Sequence, residues 1–418
     1  MAALQSATAQ YDGNPEVFRI WIAYELDLGT AESVAKALQR TRAVQPKIVT
    51  MLDERWVQAA MQKSQALAPD KRQSVREDIC IALADAGWQQ KPRTAFGSQM
   101  AGCALAAHSL RGEKAQTGAA LANEPPVDAL LTLAIDRRHQ SLWPEIDRIG
   151  KDGFRAGLEH DAARAATAAK ATPRDYQAVT YQMQTLRALG RFQEALVAGK
   201  VLAEDKAQFE VVGGDAFWLA NEYARNLQAL GRYDEAIAAV DGVIALGLDR
   251  YPDLVSMAIN RGDMLLSAGR YQAVIDAMAE LEARHFGRIS AYGKMWVWAN
   301  RACALRALGR DEEAKVDDAK LSARPDDNWG AATAAAACRD DTDAVAGMLV
   351  TRLRDSDSRP AALGLFITFD GRETRTPFDK KMRQTVANAR ARPEVQAEFA
   401  KYGRSIRYAG TTQGWSEF

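Results

Sequence analysis

Four short runs decide the fold: LGRFQEAL at 189–196, LGRYDEAI at 230–237, AGRYQAVI at 268–275 and LGRDEEAK at 308–315. Their glycines, Gly190, Gly231, Gly269 and Gly309, are spaced 41, 38 and 40 residues apart. An amphipathic stretch able to form helix precedes each glycine, and another follows it. Internal repetition at such a period marks a stacked array of small units.

Each run reads as the joint of a helix–turn–helix. Glycine takes a left-handed conformation at little steric cost and so closes the first helix. Two positions on, Phe192, Tyr233 and Tyr271 can wedge between the two helices, while the fourth run has Asp311 there. Five positions after the glycine stand Ala195, Ala236, Val274 and Ala314, small enough in most units for the backbones to approach. Seven positions before it, Ala224, Gly262 and Ala302 are compact, and Met183 departs from the pattern. Large residues matched to small ones pack antiparallel helices at native density.

On these residues the chain resembles the tetratricopeptide repeat (TPR) family, most clearly over 174–325. The resemblance implies an all-α, right-handed α-solenoid of TPR and degenerate TPR-like helical hairpins. It also implies that the first helices line a concave groove that holds a protein or peptide. The groove positions in this sequence include Gln184 and Arg187, then Trp218, Asn221 and Arg225, then Asn260 and Asp263, then Trp296, Asn300 and Arg306. Asn260 and Asn300 share one register, from which an amide can pair with a peptide N–H and C=O. Trp218 and Trp296 share another and offer apolar anchors. A bland reading stands beside this one: the tryptophans pack between repeats and the asparagines bond within the array.

Outside that block the chain still reads as helical. Gly29 and Val34 fit a degenerate repeat, and helices are expected near 47–67, 71–88 and 97–111. Pro125-Pro126 should open another, VDALLTLAIDRR, and the Ala-rich stretch 154–171 leads into the clear array. The chain thus divides into 1–10, 11–173 of divergent repeats, 174–325, and 326–418. The last segment holds one more divergent pair and a basic cap, since a terminal repeat needs a polar outer face. Within it, RPEVQAEFAKYGR resembles the closing helix of some proteobacterial TPR proteins. LGLFITF at 363–369 is the best candidate for strand.

Composition narrows function mainly by exclusion. Fifty-four basic and 54 acidic residues give no net charge, which argues against a nucleic-acid coat or a polybasic membrane binder. No run reaches the ~20 apolar residues of a membrane helix. Walker, zincin, nucleophile-elbow and CxxC patterns are missing, and no metal or cofactor is expected. His139 and His160 read as surface or helix-end residues rather than general bases, and Asp326-Asp327, Asp340-Asp341 and Asp253 as helix caps.

Ala7-Thr8-Ala9 before Gln10 has the form of a signal-peptidase site, which makes 1–10 either a signal-peptide remnant or a flexible N-terminus. Export to a periplasm is one expectation and a cytoplasmic location the other. If the chain is exported, Cys80–Cys103 and Cys303–Cys338 are the pairings that adjacent helices could allow. The leading expectation is a non-catalytic binding scaffold. Its competitors are an all-α enzyme acting on a glycan or other polymer, with Trp56, Trp88 or Trp143 in a cleft, and a sensor subunit switched by groove occupancy.

Overall fold

The signature glycines all carry left-handed backbone, with φ of +75° at Gly190, +76° at Gly231, +74° at Gly269 and +75° at Gly309. At each joint the same pair of hydrogen bonds closes the helix. The glycine N–H donates to the carbonyl three residues back, and the following arginine N–H to the carbonyl five back, as in Arg191 to Leu186 at 2.9 Å and Arg232 to Leu227 at 2.9 Å. Carbonyls left over at the helix end are thereby satisfied. The arginine then steadies the start of the second helix: Arg191–Glu194, Arg232–Glu235 and Arg310–Glu313 are pairs three residues apart. AGRYQAVI lacks that glutamate, and Arg270 reaches Asp234 of the preceding hairpin instead.

The computed structural model describes residues 13–88, 95–371 and 376–411, together with Gln10. The remainder of segment 1–10 lies outside the described residues. The chain is all-α and divides into two compact units, Met1–Ile149 and Gly150–Phe418. Among the described residues, no helix is long and apolar enough to cross a membrane.

In the first unit the helices are α1 (Pro15–Leu28), α2 (Ala31–Val44), α3 (Pro46–Thr50), α4 (Glu54–Lys63), α5 (Pro69–Ala86), α6 (Ala95–Leu110), α7 (Lys114–Ala122), α8 (Val127–Ile135) and α9 (Trp143–Ile149). Phe18, Trp21, Ile22, Val34, Leu38, Ile79 and Leu83 form its core. Gly29 ends α1 in extended backbone, φ −85°, so its role differs from that of the four signature glycines. It is required by space: a Cβ there would lie 2.7 Å from the Glu25 carbonyl and overlap the Glu25 carboxylate, which is buried beneath the turn. That carboxylate accepts from Trp21 Nε1 at 2.9 Å and from Ser33 Oγ at 2.5 Å.

The second unit opens with α10 (Arg155–Ala171). Five hairpins then follow: α11 (Tyr176–Ala188) with α12 (Phe192–Glu204); after the short α13 (Lys206–Val212), α14 (Gly214–Ala229) with α15 (Tyr233–Ile244); α16 (Leu254–Ser267) with α17 (Tyr271–His285); α18 (Ala291–Ala307) with α19 (Asp311–Ala323); and α20 (Trp329–Cys338) with α21 (Thr342–Arg354). Each hairpin packs on the next: α11 touches α14, α14 touches α16, α16 touches α18 and α18 touches α20. The fifth joint has no glycine. Asp340 takes the left-handed place, φ +60°, with its Oδ1 accepting from the Thr385 hydroxyl at 2.7 Å. Of the aspartates read as caps, Asp341 does cap its helix, receiving the Ala344 N–H. Asp327 instead pairs with Arg324, leaving Asn328 to cap α20, and Asp253 makes no side-chain cap.

The small positions of the repeat are fully packed, with Ala195, Ala236, Val274 and Ala314 all at 0% exposure. The chain closes with α22 (Arg359–Gly364), β1 (Ile367–Phe369), α23 (Pro377–Arg390), α24 (Pro393–Tyr402) and β2 (Ile406–Tyr408), where β1 and β2 pair in parallel. Both candidate cysteine pairs are disulfides: Cys80–Cys103 joins α5 to α6, with Cα atoms 5.8 Å apart, and Cys303–Cys338 joins α18 to α20, 5.4 Å apart.

Candidate functional site

The first helices of the hairpins carry the candidate groove residues, and their hydrogen bonds separate two roles. One set stitches hairpin to hairpin. Arg187 on α11 makes a buried fork to Glu222 on α14, 2.6 Å and 3.3 Å. Asn260 on α16 donates to Asn221 on α14 at 3.0 Å. Asn300 on α18 donates to the Ile259 carbonyl on α16 at 3.4 Å, and Asn328, ahead of α20, to the Tyr292 carbonyl on α18 at 3.1 Å. Buried polar groups need partners, and here each hairpin supplies one to its neighbour.

The register shared by Asn260 and Asn300 therefore has a use inside the array. Asn300 is only 2% exposed and Asn221 is equally buried, so neither faces solvent, whereas Asn260 is half-buried. Trp296 is buried as well. Arg306 turns toward α19, where it pairs with Asp318. Repeat position predicts which neighbour a side chain approaches. How deeply that side chain sits depends on the spacing between helices.

The second set surrounds Arg225. This arginine lies on α14, one residue before Asn226, whose buried Oδ1 has no hydrogen-bond partner. Arg225 is half-buried, and among the described residues its guanidinium has no hydrogen-bond or ion-pair partner. Burial pulls it below the usual arginine value and the nearby Arg187 charge adds to that, while Glu222 and Asp263 act against it. Tyr292 also acts electrostatically on this guanidinium, which brings Tyr292 into the cluster.

Trp218 stands seven residues before Arg225, two turns along the same face, and is 50% exposed. The Tyr292 side chain is exposed too. Glu222, Asp263 and Tyr292 thus lie within electrostatic reach of Arg225, with Trp218 two turns away on the helix that carries it. Glu222 and Tyr292 had no motif of their own. Glu222 nevertheless stands nine positions before Gly231, as Asn260 and Asn300 stand before their own glycines.

Of the residues weighed for catalysis, Trp56, Trp88, Trp143 and His139 are tied into the fold. Trp88 Nε1 donates to the Leu52 carbonyl at 2.9 Å and Trp143 Nε1 to the Leu133 carbonyl at 3.1 Å, while Trp56 packs against the core of the first unit. His139 is buried with Nδ1 2.9 Å from Ser109 Oγ; burial, opposed by Asp136, brings its imidazole down to about 4. Among the described residues, no group of three His, Cys, Asp or Glu side chains is placed to hold a metal ion. Comparison of the chain with protein-family models and with curated protein sequences finds no match.

Proposed function

We propose that residues 150–418 form a right-handed α-solenoid of TPR-like hairpins, and that its inner face is a non-catalytic scaffold for a protein or peptide segment bearing an acidic group. The recurring glycine joint and the contact of each first helix with the next support the solenoid. The observation that carries the binding reading is Arg225. A half-buried guanidinium that no hydrogen bond satisfies among the described residues costs free energy even with Glu222 and Asp263 nearby, and a ligand carboxylate would supply charge-assisted hydrogen bonds that offset that cost. Trp218 offers the ligand an apolar anchor, Asp263 and Tyr292 shape the approach, and the Asn221–Asn260 pair holds the wall behind them. Export to an oxidising compartment such as a periplasm is proposed with it, and the two disulfides support that part.

Selection of displayed heptapeptides on the intact protein tests the reading. Enriched peptides should carry Asp or Glu beside an aromatic or aliphatic residue. Their affinity should fall about tenfold or more, roughly 1.4 kcal/mol, in Arg225→Gln and severalfold in Trp218→Ala. Enrichment of basic peptides, or affinities indifferent to both substitutions, would remove Arg225 from the site.

A further inference from the structure

The first unit contains a cavity of about 310 Å³ between α5, α6, α7 and the turn before α8. This lies at the low end of the roughly 300–1,000 Å³ range of small-molecule sites. Leu83, Trp88, Met100, Ala104 and Leu105 make an apolar floor. The Cys80–Cys103 disulfide joins the two helices that supply most of that floor, one turn from Leu83 and next to Ala104, and so fixes the distance between its walls.

The polar part of the lining is one-sided. Among the described residues, its charged members are Asp85 and Glu124, its other titratable group is His108, and no lysine or arginine lines it. His108 is buried with Nε2 3.2 Å from Asp85 and Nδ1 2.5 Å from Glu113, and Arg42 pairs with the second Asp85 oxygen. A carboxylate has about four lone-pair directions, so these partners leave Asp85 with acceptor capacity. Glu124 sits in left-handed backbone, φ +50°, immediately before Pro125, a combination that proline disfavours. At the mouth, the Gln116 and Asn123 side-chain amides have no hydrogen-bond partner among the described residues.

We infer that this cavity binds a small apolar organic cation, an amine whose hydrocarbon part fills the Leu83–Trp88–Leu105 floor and whose ammonium group meets Asp85. Carboxylates and the face of an indole both favour an ammonium ion, whereas among the described lining residues an anion would meet no lysine or arginine, and both ring nitrogens of His108 already face carboxylates. This inference concerns the first unit and stands apart from the Arg225 reading.

Three probes of matched shape test it on the full chain: 4-phenylbutylamine, 4-phenylbutanol and 4-phenylbutyrate, followed by ligand-observed NMR and calorimetry. The amine should bind saturably and at least tenfold more tightly than the alcohol, with the carboxylate weakest. Asp85→Asn should remove the preference for the amine and leave alcohol binding unchanged. Ala119 is an exposed lining residue on α7, so Ala119→Trp should preserve the fold and block all three. Equal binding of amine and carboxylate, no binding by the amine, or amine binding that survives Ala119→Trp would overturn the proposal.

Discussion

Met183 occupies, in the first hairpin, the place that Ala224, Gly262 and Ala302 hold in the next three. It fits because the size difference has moved to the other helix. A Cβ on Gly199 of α12 would overlap the Met183 sulfur and lie 2.8 Å from its methyl group. In the third hairpin the sides are exchanged: Gly262 on the first helix faces Met278 on the second, whose methyl would lie 2.6 Å from a Cβ at 262. The same contact is thus built with either residue as the large one. Gly199→Ala should destabilise the protein by about 1–3 kcal/mol, the usual cost of overpacking. Adding Met183→Ala should recover part of that loss in a double-mutant cycle followed by chemical denaturation. Purely additive effects would mean that the two side chains do not share the space. The glycine joints are legible in the sequence because one residue type performs one task at one position. The Met183–Gly199 exchange is hidden, since its partners lie on different helices and a column of aligned residues shows only the anomaly. The same limit applies to Asn300, whose register is visible and whose burial is not.

Among the elements, α17, α18 and α19 are bound by a charge network as well as by apolar packing. Glu282 accepts from Lys320 at 2.9 Å and from Trp298 Nε1 at 3.0 Å, and Arg301 bridges Glu282 at 2.6 Å to Asp317 at 2.7 Å. Burial alone would raise the Glu282 carboxyl, but hydrogen bonds from Lys320, Arg301 and Trp298 outweigh it and hold the group at about 2. That lies below the ordinary 4.5, so between these values the unfolded chain binds more protons than the folded one. The associated stability, about 3 kcal/mol at most, is complete above pH 4.5 and is lost as pH falls toward 2. Urea titrations should find Glu282→Gln less stable than the parent at pH 7 and nearly equal to it near pH 2. A constant difference at both pH values would show that the carboxylate charge is not what the network uses. This network has no sequence signature, because its five members lie on three helices at unrelated repeat positions. The fifth hairpin was legible only as a divergent helical pair for a related reason. Aspartate enters left-handed backbone more readily than most residues, and here its carboxylate accepts from Thr385 on α23, so Asp340 performs the glycine's task without its letter.

At the scale of the second unit, one feature departs from a chain of nearest neighbours. Beyond β2 the backbone returns to the start of that unit: Ala409 N–H donates to the Gly153 carbonyl ahead of α10 at 2.8 Å, and Thr411 N–H to the Ala188 carbonyl at the end of α11 at 2.8 Å. The Thr411 hydroxyl donates to the Arg187 carbonyl at 2.7 Å. Gly190 and Gly153 make room for this strap, because a Cβ on either would press on Thr411 or Ala409 at 3.3 Å or less. Nothing in the sequence announces it, since three backbone-directed bonds and a three-residue strand require no distinctive side chains. In an open repeat array the end hairpins are the least stable, each having a neighbour on one side only. The strap gives the first hairpin contacts some 220 residues away in sequence, and it attaches beside Arg187, whose side chain positions Glu222 near Arg225. Thr411→Pro, which removes both donors, and a truncation after Tyr408 should therefore speed hydrogen exchange in α11 and its Gly190 joint by about tenfold or more, while α16 to α19 keep the parent's protection. If the strap only decorates a rigid array, exchange will change around residues 406–411 and nowhere in α11. If it closes the unit, the loss will appear at the far end of the chain, and affinity at Arg225 will fall with it.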